Sequence, residues 1–426
     1  MRQKVAIIGS GISGLTTAWF LHPHHDITLF EANDYIGGHT NTEDIERGGS
    51  VWPVNTGFIV FNDWTYPNFQ RLMTEVGGVR DQITRMSFSV KCEQSGLEYC
   101  GSSIGSLFAQ KRNWLRPRFH RMVRDILRFN RQSLDLLQSG ELDPEMTLAE
   151  FFRRYGYGDW FVSKYIVPMG AAIWSSGEAD MMRFPALLFI RFFRNHGLLS
   201  VKNRPQWRTL VGGSRSYVDP MTRNFRDRIK LATPVRRVER RPSDRDGVTV
   251  HTDQGPETFD QVVFACHSDQ ALALLDRPTT EETEVLGAIP YTDNDVVLHT
   301  DASLLPARHK AWAAWNYHIP ESAQAPVSVT YNMNILQNFD HAPDTFCVTL
   351  NFSGPIAEDR ILKRFRYSHP VFTPEGMQAQ ARFHDISNCN NTHYCGAYWF
   401  NGFHEDGVNS GLRVARDFGV GWADPT

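Results

Sequence analysis

The chain has 426 residues, 41% hydrophobic and 21% charged, with a net charge of −3, a composition that excludes a disordered chain and a general nucleic-acid binder. Its length predicts roughly two to three domains. Six scattered cysteines without a C-x-x-C pair fit a reducing compartment. No uncharged apolar run reaches membrane-span length, since Phe184 to Phe193 is short and holds Arg191, and Met1-Arg2-Gln3-Lys4 leaves no room for a leader, so the chain reads as cytoplasmic.

Val5-Ala6-Ile7-Ile8 is a continuous apolar run, the pattern of a parallel strand buried on both faces. Gly9-Ser10-Gly11-Ile12-Ser13-Gly14 follows, then a helix expected from about Ser13 to Leu21 and a second strand, Ile27-Thr28-Leu29-Phe30. From about Leu107 to Leu199 the periodicity turns helical. Phe119, Met122, Val123, Ile126 and Leu127 recur at helix spacing, and so do Leu187, Ile190 and Phe193. Strand signals return in Val235–Val238, Val248–Val250 and Gln261–Ala265. The stretches Val296–His299, Val327–Tyr331 and Phe346–Leu350 predict an antiparallel sheet, and Tyr394 to Phe418 reads as strand, loop and helix. This order fits an α/β fold with a doubly wound nucleotide domain built from residues 1–90, 206–276 and 391–426. A helical cap over 91–205 and a substrate domain with an antiparallel sheet over 277–390 are inserted in it.

The glycine segment leaves a buried strand and opens a helix, so each glycine has a task. Gly9 permits the tight turn, Gly11 lets the backbone approach a pyrophosphate, and Gly14 lets helix and strand pack closely. The helix start at Ile12 and Ser13 offers free N–H groups and a partial positive charge to phosphates. Glu31 ends the second strand, where a carboxylate accepts hydrogen bonds from ribose hydroxyls. NAD and FAD share this fingerprint. Gly37-Gly38, a second glycine turn soon after Glu31, allows another close approach to an extended dinucleotide.

Glu31-Ala32-Asn33-Asp34-Tyr35-Ile36-Gly37-Gly38-His39 resembles the E-A-x-x-x-x-G-G-R segment of the flavin-containing amine oxidase and phytoene desaturase superfamily, where it wraps FAD. Thr233–Val238 resembles the strand whose valine meets the adenine, and Val262–Ala265 the strand that leads back to the cofactor. Cys395-Gly396-Ala397 with Asp406–Gly411 resembles the C-terminal strand and helix, whose N-terminus faces the flavin. The resemblance implies a Rossmann-like FAD-binding domain. It implies FAD contacts at Gly9, Gly11, Ile12, Ser13, Gly14, Glu31, Ala32, Gly37, Gly38, His39, Thr56, Gly57, Val235, Ala265, Gly396, Asp406, Gly407 and Val408. Two positions depart from the family pattern. His39 stands where an arginine is usual at a phosphate contact. Ala397 stands for the usual Glu or Asp, which passes one ribityl contact to another side chain, Glu405 or Asp406 being the candidates. Asn55–Asn62 and Gly402–Gly407 resemble more narrowly a bacterial group of NAD/FAD-binding proteins encoded beside cyclopropane-fatty-acid-synthase-like methyltransferases, which implies a lipid-like substrate.

A flavin carries the redox chemistry itself, so the chain is expected to supply orientation and electrostatics. The helix beginning near Asp406 is expected to aim N–H groups at the flavin pyrimidine edge, with Gly407 allowing close approach. Tyr367 and His369, in a pre-proline stretch, are candidates for a catalytic acid or base, a histidine packed in a loop being the plainer reading; Lys363 receives no role. Trp174, Trp207, Trp312, Trp315, Tyr317, Tyr398 and Trp399 are candidates for an apolar substrate tunnel, for an aromatic cage around an amine, or for ordinary core. No metal is expected. His22-Pro23-His24-His25 falls in a turn, and His404-Glu405 lacks the second histidine of H-E-x-x-H.

Between Lys111 and Arg131, Lys111, Arg112, Arg116, Arg118, Arg121, Arg124, Arg128 and Arg131 are opposed only by Asp125. Arg121, Arg124, Arg128 and Arg131 recur at helix spacing. Such a stripe is expected to meet an anionic membrane face or a lipid-modifying enzyme, the alternative being a solvated surface; a nucleic-acid partner is not expected. The expected function is an FAD-dependent oxidoreductase that removes hydride from an activated C–H bond of a hydrophobic substrate, preferably an unsaturated or modified acyl chain. Amine oxidation, a redox-neutral double-bond shift, a non-catalytic flavoprotein partner of a lipid methyltransferase and an NAD-dependent dehydrogenase stand beside it.

Overall fold

The computed structural model describes residues 2–174, 178–200, 203–240, 247–321 and 328–422. The N-terminal apolar run lies at the centre of a five-stranded parallel sheet, ordered Ile229–Lys230, Asp26–Phe30, Lys4–Ile8, Gln261–Phe264, Thr392–Tyr394. Side chains alternate across a strand, so Val5 and Ile7 enter one core while Ala6 and Ile8 enter another. Both faces exclude water, which is why the run shows no polar alternation.

The helices used below are α1 (Ile12–Leu21), α2 (Pro67–Val76), α3 (Pro117–Ser139), α4 (Ala186–Asn195) and α5 (His404–Asp417). Helices α1 and α5 cover the first face of the parallel sheet, with their backbones in contact. A Cβ on Gly407 would lie 2.5 Å from Ile12 Cγ2, and one on Gly411 2.5 Å from the Ser13 carbonyl oxygen. The other face is covered by a three-stranded antiparallel sheet (Val235–Arg240, Val248–Thr252, Gly255–Phe259) and the helices Ser268–Leu274 and Thr280–Gly287.

The second body is built on a seven-stranded sheet, ordered Ile361–Pro370, Tyr291–His299, Cys347–Leu350, Ser328–Asn332, Trp315–Ile319, Phe88–Cys92, Leu97–Cys100. Among the described residues of this sheet, only the Trp315–Ile319 and Phe88–Cys92 pair runs parallel. Val90, Tyr317 and Val348 of this sheet share a core with Phe119 and Phe129 of α3 and Phe189 and Phe193 of α4. Helix α3 has Pro117 in its first turn and ends at Gly140, whose φ of +72° suits glycine.

The structure departs from the sequence expectations at three places and leaves one residue of a further expectation outside the described residues. The boundary expected at residue 90 falls inside the strand Phe88–Cys92, which is too short to announce itself beside a helical region. Tyr367–Pro370 is not a loop but the end of the edge strand Ile361–Pro370, where a proline costs no ladder bond and basic residues break the apolar alternation. The strand Ser328–Asn332 stands where one was expected, with Val327 outside the described residues. The stripe Arg121, Arg124, Arg128, Arg131 is divided. Arg121 and Arg128 turn to the buried carboxylate of Asp125, at 3.9 and 3.4 Å, and Arg128 also lies over the Tyr157 ring. Arg124 and Arg131 stay exposed and form no ion pair among the described residues. Among those residues no helix is long and apolar enough to cross a membrane.

Candidate functional site

The parallel strands end at the first glycine turn, the crevice in which doubly wound folds hold nucleotides. Gly9 has φ +109°, and a Cβ there would lie 2.6 Å from the Ala265 carbonyl oxygen; one on Gly14 would lie 2.0 Å from that of Gly9. Gly11 differs, because nothing lies within 4 Å of its Cβ position. It is also the N-cap of α1, with no side chain capping the helix. The first-turn N–H groups therefore open onto free space, the arrangement a phosphate needs. The second glycine turn closes on this cradle, with the Cβ position of Gly38 only 3.3 Å from Gly11 Cα.

Glu31 is buried, and the chain already holds it. Oε2 accepts from Ser10 N at 2.9 Å and Ser10 Oγ at 2.6 Å, and Oε1 accepts from Asn33 N and Nδ2, both at 2.9 Å. A carboxylate has about four acceptor positions. A ribose hydroxyl would take its place on Glu31 by displacing the exposed Asn33 amide, beside the exposed Ala32.

His39 is positioned by the turn after the strand Ser50–Asn55. Phe58 N donates to the His39 carbonyl at 2.8 Å, and a Cβ on Gly57 would lie 2.2 Å from the same oxygen. Thr56 Oγ1 and Asn41 Nδ2 reach the Tyr367 hydroxyl at 2.9 and 3.0 Å. The His39 ring lies 5.0 Å from that of Tyr367, 5.3 Å from His369 and 6.2 Å from His267. His267, which the sequence reading missed, stacks on Tyr291 at 4.5 Å. Its signal was available: it follows directly on the strand Gln261–Phe264 and Ala265, at the strand end where doubly wound folds place ligand contacts.

Burial pushes His39 and His267 down to about 4 and His369 to about 3, with a neighbouring imidazole adding to the effect on each. Burial thus favours the neutral form of each ring in the cofactor-free chain, so His369 offers an uncharged imidazole at this position. Burial likewise raises the Tyr367 hydroxyl, whose oxygen is already engaged by Thr56 and Asn41. Two nitrogens of this group, His39 Nε2 and His267 Nδ1, are sealed from solvent without a hydrogen-bond partner. Such unmade bonds cost about 1–3 kcal/mol each, so they point to a polar group that completes the site. With the open cradle at Gly11, these residues fit the phosphates of a dinucleotide.

The C-terminal segment supplies the third wall. Gly396 N donates to Ser410 Oγ at 2.9 Å, which ties the turn after the last strand to α5. Asp406 Oδ2 accepts from Phe403 N at 2.9 Å and so caps its own helix. Glu405 caps a different one, accepting from Asn68 N at 3.1 Å and Phe69 N at 2.8 Å at the start of α2. Both carboxylates considered for the ribityl contact are thus engaged at helix ends, each with acceptor positions still open. Burial lifts Asp406 to about 7 and raises Glu405. The task of Gly407 is also revised, because its missing side chain makes room for α1. Ile12 and Val408 bury their side chains in core, which leaves their backbones to face a ligand. Val235 starts its strand opposite Thr252 and packs half-buried on the core of the second face.

Of the aromatic residues proposed for a tunnel, only two meet near α5. Phe403 lies 5.3 Å from Phe192 and 5.7 Å from His196, Phe192 touches Trp174 at 4.7 Å, and His196 reaches Trp207 at 6.4 Å. Tyr398 and Trp399 pack in the core behind the parallel sheet, Trp312 stacks on His309, and Trp315 and Tyr317 belong to the seven-stranded sheet.

Fold and site together define a dinucleotide-binding protein of the doubly wound class. The model of the family described as flavin containing amine oxidoreductase matches residues 12–309, and the chain belongs to that family; its cofactor is FAD. The chain is 33% identical over 85 residues, 20% of its length, to zeta-carotene desaturase of Capsicum annuum. It spans 14% of that desaturase and 61% of another curated relative, less than two thirds of either. Its fold is similar to that of cyclohexylamine oxidase from Brevibacterium oxydans IH-35A, with a TM-score of 0.68, 15% identity and 98% of each chain covered. It is also similar to that of a CLA-producing fatty acid isomerase from P. acnes, with a TM-score of 0.66, 14% identity, and 97% of this chain and 98% of that one covered.

Proposed function

We propose that the protein is an FAD-dependent oxidoreductase that removes hydride from an activated C–H bond of a hydrophobic substrate, an unsaturated or modified fatty acyl chain. The observation that carries this reading is the aromatic cluster Trp174, Phe192, His196, Trp207 and Phe403, which runs from the helical insert to the residue that opens α5. None of these five side chains is a carboxylate, and burial pushes His196 down to about 4, which favours its uncharged form at neutral pH. Aromatic side chains of this kind favour contact with a neutral chain over a bare cation, whose desolvation they offset little. FAD, when bound, supplies the two-electron acceptor. The chain's own part is to exclude water with the aromatic side chains and to present the first N–H groups of α5 to negative charge. The narrow resemblance to the bacterial group encoded beside lipid methyltransferases supports the same substrate class.

The aromatic faces also suit an amine, which is the second reading. Anaerobic addition of unsaturated fatty acids and of primary amines to the FAD-loaded protein separates the two. Bleaching of the flavin absorbance by the fatty acids and not by the amines is expected; bleaching by the amines alone overturns the acyl reading. A shifted double bond in recovered fatty acid without net bleaching assigns a redox-neutral isomerase. No change with either class leaves a flavoprotein that serves a partner enzyme, and refutes independent turnover.

A further inference from the structure

Five of the eight large hydrophobic side chains exposed among the described residues fall between residues 104 and 134, interleaved with the basic run. Ile104 is 72% exposed, Trp114 54% and Leu115 86%, and Leu127 and Leu134 lie exposed on α3. Such exposure opposes the apolar transfer free energy, and concentrated in one stretch it marks an interaction surface. It is not the product of loose side chains. Trp114 stacks on Phe108 at 3.7 Å, and its carbonyl is held by His120 Nε2 at 2.8 Å.

Charge accompanies the apolar residues. Lys111, Arg112 and Arg118 are exposed around Trp114 and Leu115. On α3, residues 124, 127, 131 and 134 follow at spacings of three and four, so Arg124 and Arg131 share one outward face with Leu127 and Leu134. Beside Leu115 lies a hollow of about 490 Å³, lined by Ser95, Leu115, Arg116, Pro117, Arg118 and Trp160. In it Arg116 Nη2 donates to the Ser95 carbonyl at 3.3 Å, and Arg118 is exposed beside it. Two arginines at the mouth of one hollow suit a phosphate, and the neighbouring apolar side chains suit the acyl layer beneath it.

We infer that this face, from Ile104 through the first half of α3, docks on an anionic phospholipid surface, with Trp114 and Leu115 entering the interface and the Arg116–Arg118 hollow taking a headgroup phosphate. Cationic and apolar residues on one surface are what an interfacial protein needs, because charge attracts it to the lipid and the apolar residues hold it there. The inference stands apart from the substrate reading, since it uses none of the residues of the nucleotide crevice or of the aromatic cluster.

The test is co-sedimentation of the full-length, FAD-loaded protein with vesicles of phosphatidylcholine alone and of phosphatidylcholine mixed with phosphatidylglycerol. Binding to the mixed vesicles only, weakened by added salt, is expected. Arg124→Gln with Arg131→Gln should lower that affinity about thirtyfold, from about 1 kcal/mol for each basic residue near an anionic surface. Trp114→Ser with Leu115→Ser should release the protein as well. Val51→Ser with Trp64→Ser, apolar residues of comparable exposure elsewhere, should leave binding unchanged. The flavin spectrum of each variant reports that it is folded. Equal binding to phosphatidylcholine alone, an equal loss in the Val51 and Trp64 variant, or no binding to either vesicle overturns the inference. The last outcome would leave the face to an acidic protein.

Discussion

Gly11 separates the demands of the fold from those of the cofactor more cleanly than any other position in the site. Its φ of −64° and ψ of 173° lie in a region open to every L-residue, and no atom occupies the space of a Cβ there. Gly11→Val should therefore leave the cofactor-free chain nearly as stable. The less favourable N-cap costs about 1 kcal/mol, and the stiffer unfolded chain returns about 0.4–1 kcal/mol. The expected shift in Tm is about 2–4 °C or less. Gly14→Ala is the contrast, because its Cβ would lie 2.0 Å from the Gly9 carbonyl oxygen, and overpacking of that kind costs about 3 kcal/mol or more. FAD binding should rank the other way. A valine at Gly11 fills the space in front of the α1 N-terminus and removes at least two charge-assisted hydrogen bonds to phosphate, about 3–6 kcal/mol together. That raises Kd by roughly two to four orders of magnitude. FAD released on denaturation measures retention, and thermal unfolding of the stripped protein measures the fold. A full complement of FAD in Gly11→Val would falsify the placement of the phosphates. Loss of stability in the stripped variant matching that of Gly14→Ala would refute the claim that the position is reserved for a ligand.

Two predictions concern pH. Burial raises the Asp406 carboxyl to about 7 in the folded chain, above its ordinary value, so the native state holds a proton that the unfolded state releases. Stability is then greatest below the unfolded value and falls as pH rises from about 4 to about 7, by up to about 4 kcal/mol at about 1.4 kcal/mol per unit. Asp406→Asn keeps an acceptor for Phe403 N and should flatten that slope in urea titrations; an unchanged slope would show that the carboxyl does not carry it. The second concerns His39, held down to about 4 in the cofactor-free chain by burial and by the neighbouring His267. A bound phosphate raises an imidazole, so FAD should bind tighter at acid pH and lose affinity as pH rises through the bound-state value. Asp406 titrates in part of the same window, so the comparison is with His39→Arg, which should bind tighter at neutral pH and with less dependence on pH. Fluorescence titration of stripped protein with FAD reads both, and equal pH dependence in the two proteins removes His39 from the phosphate site.

The amino-acid order alone determined the strand, glycine turn and helix from Lys4 to Leu21 and the acid at Glu31, because those features are local. A run apolar at every residue has to be buried on both faces, and a glycine whose Cβ would meet backbone two to three ångströms away admits no substitute. Helices α3 and α4 were legible for the same reason, each carrying its own period of apolar residues. Two strands of the second body were not. Phe88–Cys92 and Ile361–Pro370 are held by partners far along the chain, and their own patterns are too brief or too basic to reveal them. The candidate site was legible only in its backbone half. Which side chains would meet depended on contacts between segments hundreds of residues apart: His39 with Tyr367 and His369, and Glu405 with the N–H groups of α2 across 336 residues. Sequence spacing carries no record of such distances. The tertiary structure alone decided that the acids beside the last helix cap helix ends, that the histidines sit neutral in one buried group, and that only part of the arginine stripe faces outward. Each outcome turns on burial and on a hydrogen-bond partner, and packing supplies both.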